Sequence, residues 1–285
     1  MQLMNKHEDQ LKRGLTYDLW KNFPAGEIFV RGDSNEGIGC KLDPGAPPFA
    51  AASSTNVMAG GGVRAFTDAT CTVGGLTKAQ YSGGQGFRML TSADNEAVEL
   101  QWGGGGEPFV ISDSAADIKE LCYEVHFRVS TVTANELAFF IGLATAQTLG
   151  GDFIADNGAD VADLDMVGLW SSHADTTGVD VIYQTTGSAF TTHEADFATI
   201  AIDTWYIFGM RYRPAKKLDL YWGVGDRATS VAIDTNPIIS TDIADTVFPD
   251  GQGLTPTIAI KGGAAPDEYL DIRTFACAQV AYPAD

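Results

Sequence analysis

The sequence is short of positive charge, of paired cysteine motifs and of long apolar runs. Only 18 of its 285 residues are Lys or Arg, against 37 Asp or Glu, which leaves a formal net charge of −19. A surface so negative repels phosphate and argues against nucleic acid as the main partner. It also keeps copies soluble at high concentration. The four cysteines, Cys40, Cys71, Cys122 and Cys277, form no CxxC pair and follow no regular spacing. A chain this long needs no disulfide to fold, and Cys122 and Cys277 sit in apolar, strand-like runs where a thiol behaves as a small hydrophobe. Four reduced thiols are the expectation. No stretch approaches the roughly 18 uninterrupted apolar residues of a membrane span. The opening MQLMNKHEDQLKRGL carries charge where a signal peptide needs an apolar centre, so export by a cleaved signal is not expected.

Catalytic signatures are equally scarce. Glycoside hydrolysis needs two carboxylates flanking the scissile bond. HEADFAT offers Glu194 and Asp196 with no second Glu, and DEYLDIR places Glu268 and Asp271 three apart, on opposite faces of a strand. His7, His126, His173 and His193 show neither HxH nor HExxH spacing, so a zinc site of those types is not expected. No G-x-S-x-G elbow and no phosphate-cradling glycine loop is present, and WGGGGEP reads as a turn. The RGD at Arg31–Asp33 reads as a polar loop. The chain is expected not to be an enzyme.

What is present is glycine, 32 residues, within a composition 45% hydrophobic. That combination suits a globular chain with many tight turns. Residues 1–22 read as a short amphipathic helix or arm, with Leu3, Met4, Leu11, Leu15, Leu19 and Trp20 at roughly helical spacing. Residues 23–96 read as an extended arm rich in Gly, Pro and Ala with a few short strands. Such a segment cannot build its own core and must lie against its own domain or a neighbouring subunit. Residues 97–285 then run as short strands separated by turns every eight to fifteen residues. In ELCYEVHFRVS, Leu121, Tyr123, Val125, Phe127 and Val129 alternate with Cys122, Glu124, His126, Arg128 and Ser130, the two-residue period of a half-buried strand. This pattern predicts an all-β fold, two packed antiparallel sheets forming a jelly-roll sandwich with an extended Gly/Pro-rich N-terminal arm.

Two stretches offer binding chemistry. GGDFIADNGADVADLD brings Asp152, Asp156, Asp160, Asp163 and Asp165 into one inter-strand loop, oxygen-rich as calcium requires. It fits neither the helix-loop-helix calcium pattern nor the nonapeptide repeat, so a solvated acidic turn is the plainer reading and no cofactor beyond that calcium candidate is expected. WYIFGMRYRPAKKLDLYWG is dense in aromatics, but Tyr206, Phe208, Met210, Tyr212, Leu220 and Trp222 fall on the core face of a hairpin. Only Trp205 and Tyr221 remain on the other face as carbohydrate-binding candidates.

From Ala97 to about Tyr282 the chain resembles the concanavalin A-like, laminin-G-like jelly-roll superfamily. The resemblance is carried by ELCYEVHFRVS, LAFFIGLA, VGLWSSH, TWYIFGMRYRPAKKLDLYWG and EYLDIRTFACAQV in that order. Lectins, glycoside hydrolases, adhesion modules and structural proteins of tailed-bacteriophage particles share this fold. The acidic charge, the Gly/Ala-rich N-terminal segment and the missing catalytic motifs are most similar to the phage group. The resemblance therefore implies a virion structural protein on the particle exterior, assembled in the host cytoplasm. Its partners would be major capsid or other virion proteins and further copies of itself, a homo-oligomer, with neither nucleic acid nor membrane. The alternative it implies is a carbohydrate-binding, lectin-like attachment module on a phage tail or head fibre, directed at host or environmental glycans.

Overall fold

The computed structural model describes residues 86–102, 106–111, 120–146, 153–175, 177–213, 217–225 and 247–280, together with the backbone of the strands within 33–85 and 239–242. The expected helix or arm of residues 1–22 and Arg31 and Gly32 lie outside the described residues. Among the described residues there are eighteen strands and no helix. They are β1 (Asp33–Ser34), β2 (Gly37–Leu42), β3 (Val57–Ala59), β4 (Val63–Thr67), β5 (Leu76–Tyr81), β6 (Gly84–Thr91), β7 (Ala97–Trp102), β8 (Phe109–Ile111) and β9 (Leu121–Val129). There follow β10 (Leu137–Ala144), β11 (Met166–Ser171), β12 (Gly178–Gln184), β13 (Thr191–Thr199), β14 (Tyr206–Arg213), β15 (Lys217–Val224), β16 (Ile239–Asp242), β17 (Gln252–Gly262) and β18 (Glu268–Val280).

These strands build two antiparallel sheets, as the turn spacing predicts. The first runs β1-β2-β18-β9-β14-β15-β16, and the second β13-β12-β11-β10-β17-β7-β4-β3, with β8 beside the start of β17. The long strand β18 organises the first sheet. One edge pairs along its length with β9, while the other is shared end to end, Glu268–Ile272 with β6 and Phe275–Val280 with β2. In the second sheet β4 adds to β7. Strands from the Gly/Pro/Ala-rich segment thus join both sheets of their own sandwich.

The core follows from strand alternation. Leu121, Tyr123, Val125, Phe127 and Val129 of β9 face Leu137, Phe139, Ile141 and Leu143 of β10 within one buried cluster. Phe208, Met210 and Leu220 belong to it, and Trp222 packs against it. Trp222 stacks on Tyr206 at 5.2 Å between ring centroids and meets Phe127 and Phe197 edge-on at 6.0 and 5.8 Å. The hairpin's aromatic density is core. Burying each such side chain contributes about 1.5–3 kcal/mol.

The expectation of a half-buried β9 needs correction. Cys122, Glu124 and His126, on its outward face, are as buried as the residues facing the core, and of the strand only Arg128 is partly exposed. Alternation assigns side chains to faces. It does not say whether a face meets water.

The second sheet has a small core of its own on its outward face. Ala138, Phe140, Ala144, Met166, Trp170, Ile182 and Ala259 gather there with Phe153 and Ile154 of the acidic loop. Gly142 and Gly168 oppose each other across β10 and β11, and the Phe140 ring tip lies over both. Phe153 then packs on Phe140 with centroids 4.8 Å apart. Aromatic cover of a glycine pair is a known way of closing such a gap in a sheet.

Candidate functional site

Residues 153–165 of the acidic loop between β10 and β11 are a folded cover on the sheet. Ile154 bridges to Val161, the Ala162 amide donates to the Phe153 carbonyl at 2.8 Å, and the Ala155 amide to the Asp160 carbonyl at 3.0 Å. Polar groups of the sheet hold it down. Glu99 Oε1 accepts the Phe153 amide at 2.6 Å, and the fully buried Lys261 ammonium lies 2.8 Å from Asp156 Oδ1, whose own side chain is 70% exposed. Gly158 sits at φ +57°, its carbonyl accepts the His173 amide at 2.8 Å, and His173 Nε2 donates to the Lys261 carbonyl at 3.2 Å.

Of the proposed calcium ligands, Asp152 lies outside the described residues. The others serve different partners. Asp156 faces Lys261, Asp160 is exposed, Asp163 Oδ1 accepts the Gly187 amide at 2.6 Å, and Asp165 accepts the Thr186 amide at 3.0 Å. Among the described residues no three His, Cys, Asp or Glu groups converge as a metal site would require. The oxygens that the sequence crowds into one stretch are distributed over the turn at 185–188 and the sheet.

A methyl group at position 158 would meet the His173 ring at 2.2 Å in a backbone conformation that L-residues rarely adopt. Gly158→Ala is expected to destabilise the loop by about 2–3 kcal/mol. Limited proteolysis should show faster cleavage within residues 153–165.

Trp205 and Tyr221 do lie on the face away from the core, but both are largely buried. Trp205 is 9% exposed with the Arg128 guanidinium 5.3 Å from its ring, and Tyr221 is 4% exposed opposite Gly209. Burial, aided by Asp219, pushes the Tyr221 phenol above its ordinary range. A sugar-stacking platform needs an open ring face, so the expectation of solvent-facing aromatics does not hold for these two residues.

The same face carries a set of ion pairs that the sequence did not announce. Arg88 binds Asp271 in a bidentate fork at 2.8 and 3.0 Å, and Arg128 Nη2 reaches the same carboxylate at 2.6 Å. Arg211 pairs with Glu120, Arg213 Nη2 with Asp219 at 2.7 Å, and His126 Nε2 lies 2.7 Å from Glu124 Oε1. Asp271 is fully buried, while Glu268 sits at the strand end with the Ser130 hydroxyl donating to it. The two carboxylates are engaged separately. On β13, Asp196 stands at φ +51° beside a register shift, its amide donating to Asp180 Oδ1 at 2.8 Å.

Burial pushes the Glu268 carboxyl above the ordinary carboxylate range, the Ser130 hydroxyl opposes this, and Glu136 and Asp267 add to the rise. A carboxyl whose folded value is raised contributes stability below its unfolded value and loses it as pH rises through the folded one. Melting temperature followed from acid to neutral pH should therefore fall less for Glu268→Gln than for the parent chain. Parallel curves would show that the carboxyl is not perturbed.

Sheet order, shared core and long organising strand together define a concanavalin A-like jelly-roll sandwich. No family model matches the chain, and no curated protein matches it significantly. Solved structures are similar in fold. A protein of unknown function from Shewanella oneidensis MR-1 superposes with a TM-score of 0.53 at 11% identity, over 92% of this chain and 97% of that one. Peanut lectin gives 0.51 at 12% identity over 86% and 97%, and winged bean acidic lectin, solved with methyl-α-D-galactose, 0.51 at 11% over 86% and 99%. At such identities the likeness is one of fold.

Proposed function

We propose that the chain is a non-enzymatic structural protein of a bacteriophage particle. It sits on the exterior as a capsid decoration or comparable subunit, bound to shell proteins and to copies of itself after assembly in the host cytoplasm. The observation that carries this reading is how the candidate chemistry is used. Glu120, Asp219 and Asp271 hold arginine side chains, Glu124 meets the His126 ring, Glu99 holds a loop amide, and Trp205 and Tyr221 are buried. Their engagement within the sandwich supports a structural role. The strong acidity and the Gly/Ala-rich segment that resemble the phage group support the same reading. Limited proteolysis tests this reading: stronger protection of the chain on assembled particles than in isolated protein is expected, and equal protection contradicts it.

A second reading, a glycan-binding module, draws support from the likeness in fold to two plant lectins. Its site would use residues other than Trp205 and Tyr221. A glycan array with and without calcium tests it, and the absence of any binder contradicts it.

A further inference from the structure

We propose that Cys40 and Cys277 are a redox pair that closes into a cross-strand disulfide, fastening β2 near the N-terminus to β18 near the C-terminus. The register of β2 on β18 sets Cys40 directly opposite Cys277. Opposed residues of antiparallel strands have Cα atoms about 4.5 or 5.5 Å apart, and both spacings fall within the range of about 4.4–6.8 Å that a disulfide spans. Directly opposed positions of an antiparallel pair belong to one face of the sheet. Cys277 belongs to the buried core cluster together with Phe275 and Tyr123.

Register also removes a competing pairing. Cys122 stands opposite Ala278, one residue along β18 from Cys277, and therefore on the other face of the sheet.

The oxidant is a small-molecule disulfide such as oxidised glutathione. One protein thiolate attacks it, forming a mixed disulfide and releasing one glutathione thiol. The second protein thiolate then attacks the sulfur of the first and releases the other glutathione thiol. The protein pair loses two electrons and two protons, which leave on the two glutathione molecules. Cys277 is fully buried, so the exchange takes place as the chain folds or while β2 stands away from β18. The closed bridge encloses nearly the whole sandwich in one covalent loop, the arrangement that constrains an unfolded chain most. It is a property of the fold and does not depend on the particle reading.

The test is a non-reducing tryptic map of the full chain refolded with oxidised and reduced glutathione. The expected result is the peptide of residues 32–41 joined to that of residues 274–285, with Cys122 recovered as alkylated thiol. The oxidised chain should melt roughly 5 °C or more above the reduced one, and the difference should vanish in Cys40→Ser. Recovery of Cys40 and Cys277 as alkylated thiols, or of Cys277 joined to Cys71 or Cys122, would overturn the proposal. The map needs only the parent chain, so it stands even if the variant folds poorly.

Discussion

Replacing Asp271 by alanine is expected to destabilise the chain by about 3–5 kcal/mol, or roughly 10 °C in melting temperature. The carboxylate is fully buried and stands between the Arg88 fork and Arg128. Arg88 in turn lies 3.5 Å from the centroid of the Tyr269 ring, and Arg128 packs toward Trp205. Removing the anion leaves two guanidinium groups side by side, their side chains only 30% and 19% exposed, without the carboxylate they share, which costs more than the interaction contributed. The expected sign separates this from ordinary loss of packing. Asp271→Leu combined with Arg88→Met and Arg128→Met should recover most of the loss, because the desolvated charges go together. Thermal unfolding of the single and triple variants measures both effects, and a triple variant no more stable than Asp271→Leu would show that the charges were not the cause.

Gly142→Ala carries the other large effect. A methyl group there would lie 2.3 Å from the Val167 carbonyl oxygen and 2.6 Å from the Gly168 Cα. The obstruction is backbone of the paired strand, which cannot step aside without breaking the β10–β11 ladder. A loss of about 3 kcal/mol or more is expected, at the upper end of what overpacking costs. Phe140, whose ring tip would be 2.9 Å away, is flexible by comparison. Adding Phe140→Leu should therefore not rescue the variant. Rescue would place the strain in the ring contact and not in the strand spacing.

How much of this was legible beforehand depended on where the deciding atoms lie in the chain. The core face of β9 and both strands of the β14–β15 hairpin could be read directly, because alternation of Leu121 to Val129 and of Tyr206 to Tyr212 is a local property. The edge strand β13 could not. Its residues are partly or fully exposed throughout, so no apolar rhythm marks it. The outward face of β9 was misjudged because its partners are remote: Asp271 stands 143 positions from Arg128 and 183 from Arg88. The burial of Trp205 and Tyr221 was not legible for a related reason, since pattern gives a face but not its exposure. In the acidic loop the aspartates drew attention, while Phe153 and Ile154, which seat the loop, were the better signal. Lys261, its buried anchor, is more than ninety positions away and gave none.

The measurement that bears most directly on the proposed role is the copy number of the chain in purified particles. Gradient-purified virions from the source culture, quantified by mass spectrometry against the major shell protein, should contain the chain at a fixed, high ratio that persists through repeated banding. Recovery of the chain only in the soluble fraction, with none in the particle band, would contradict a structural role.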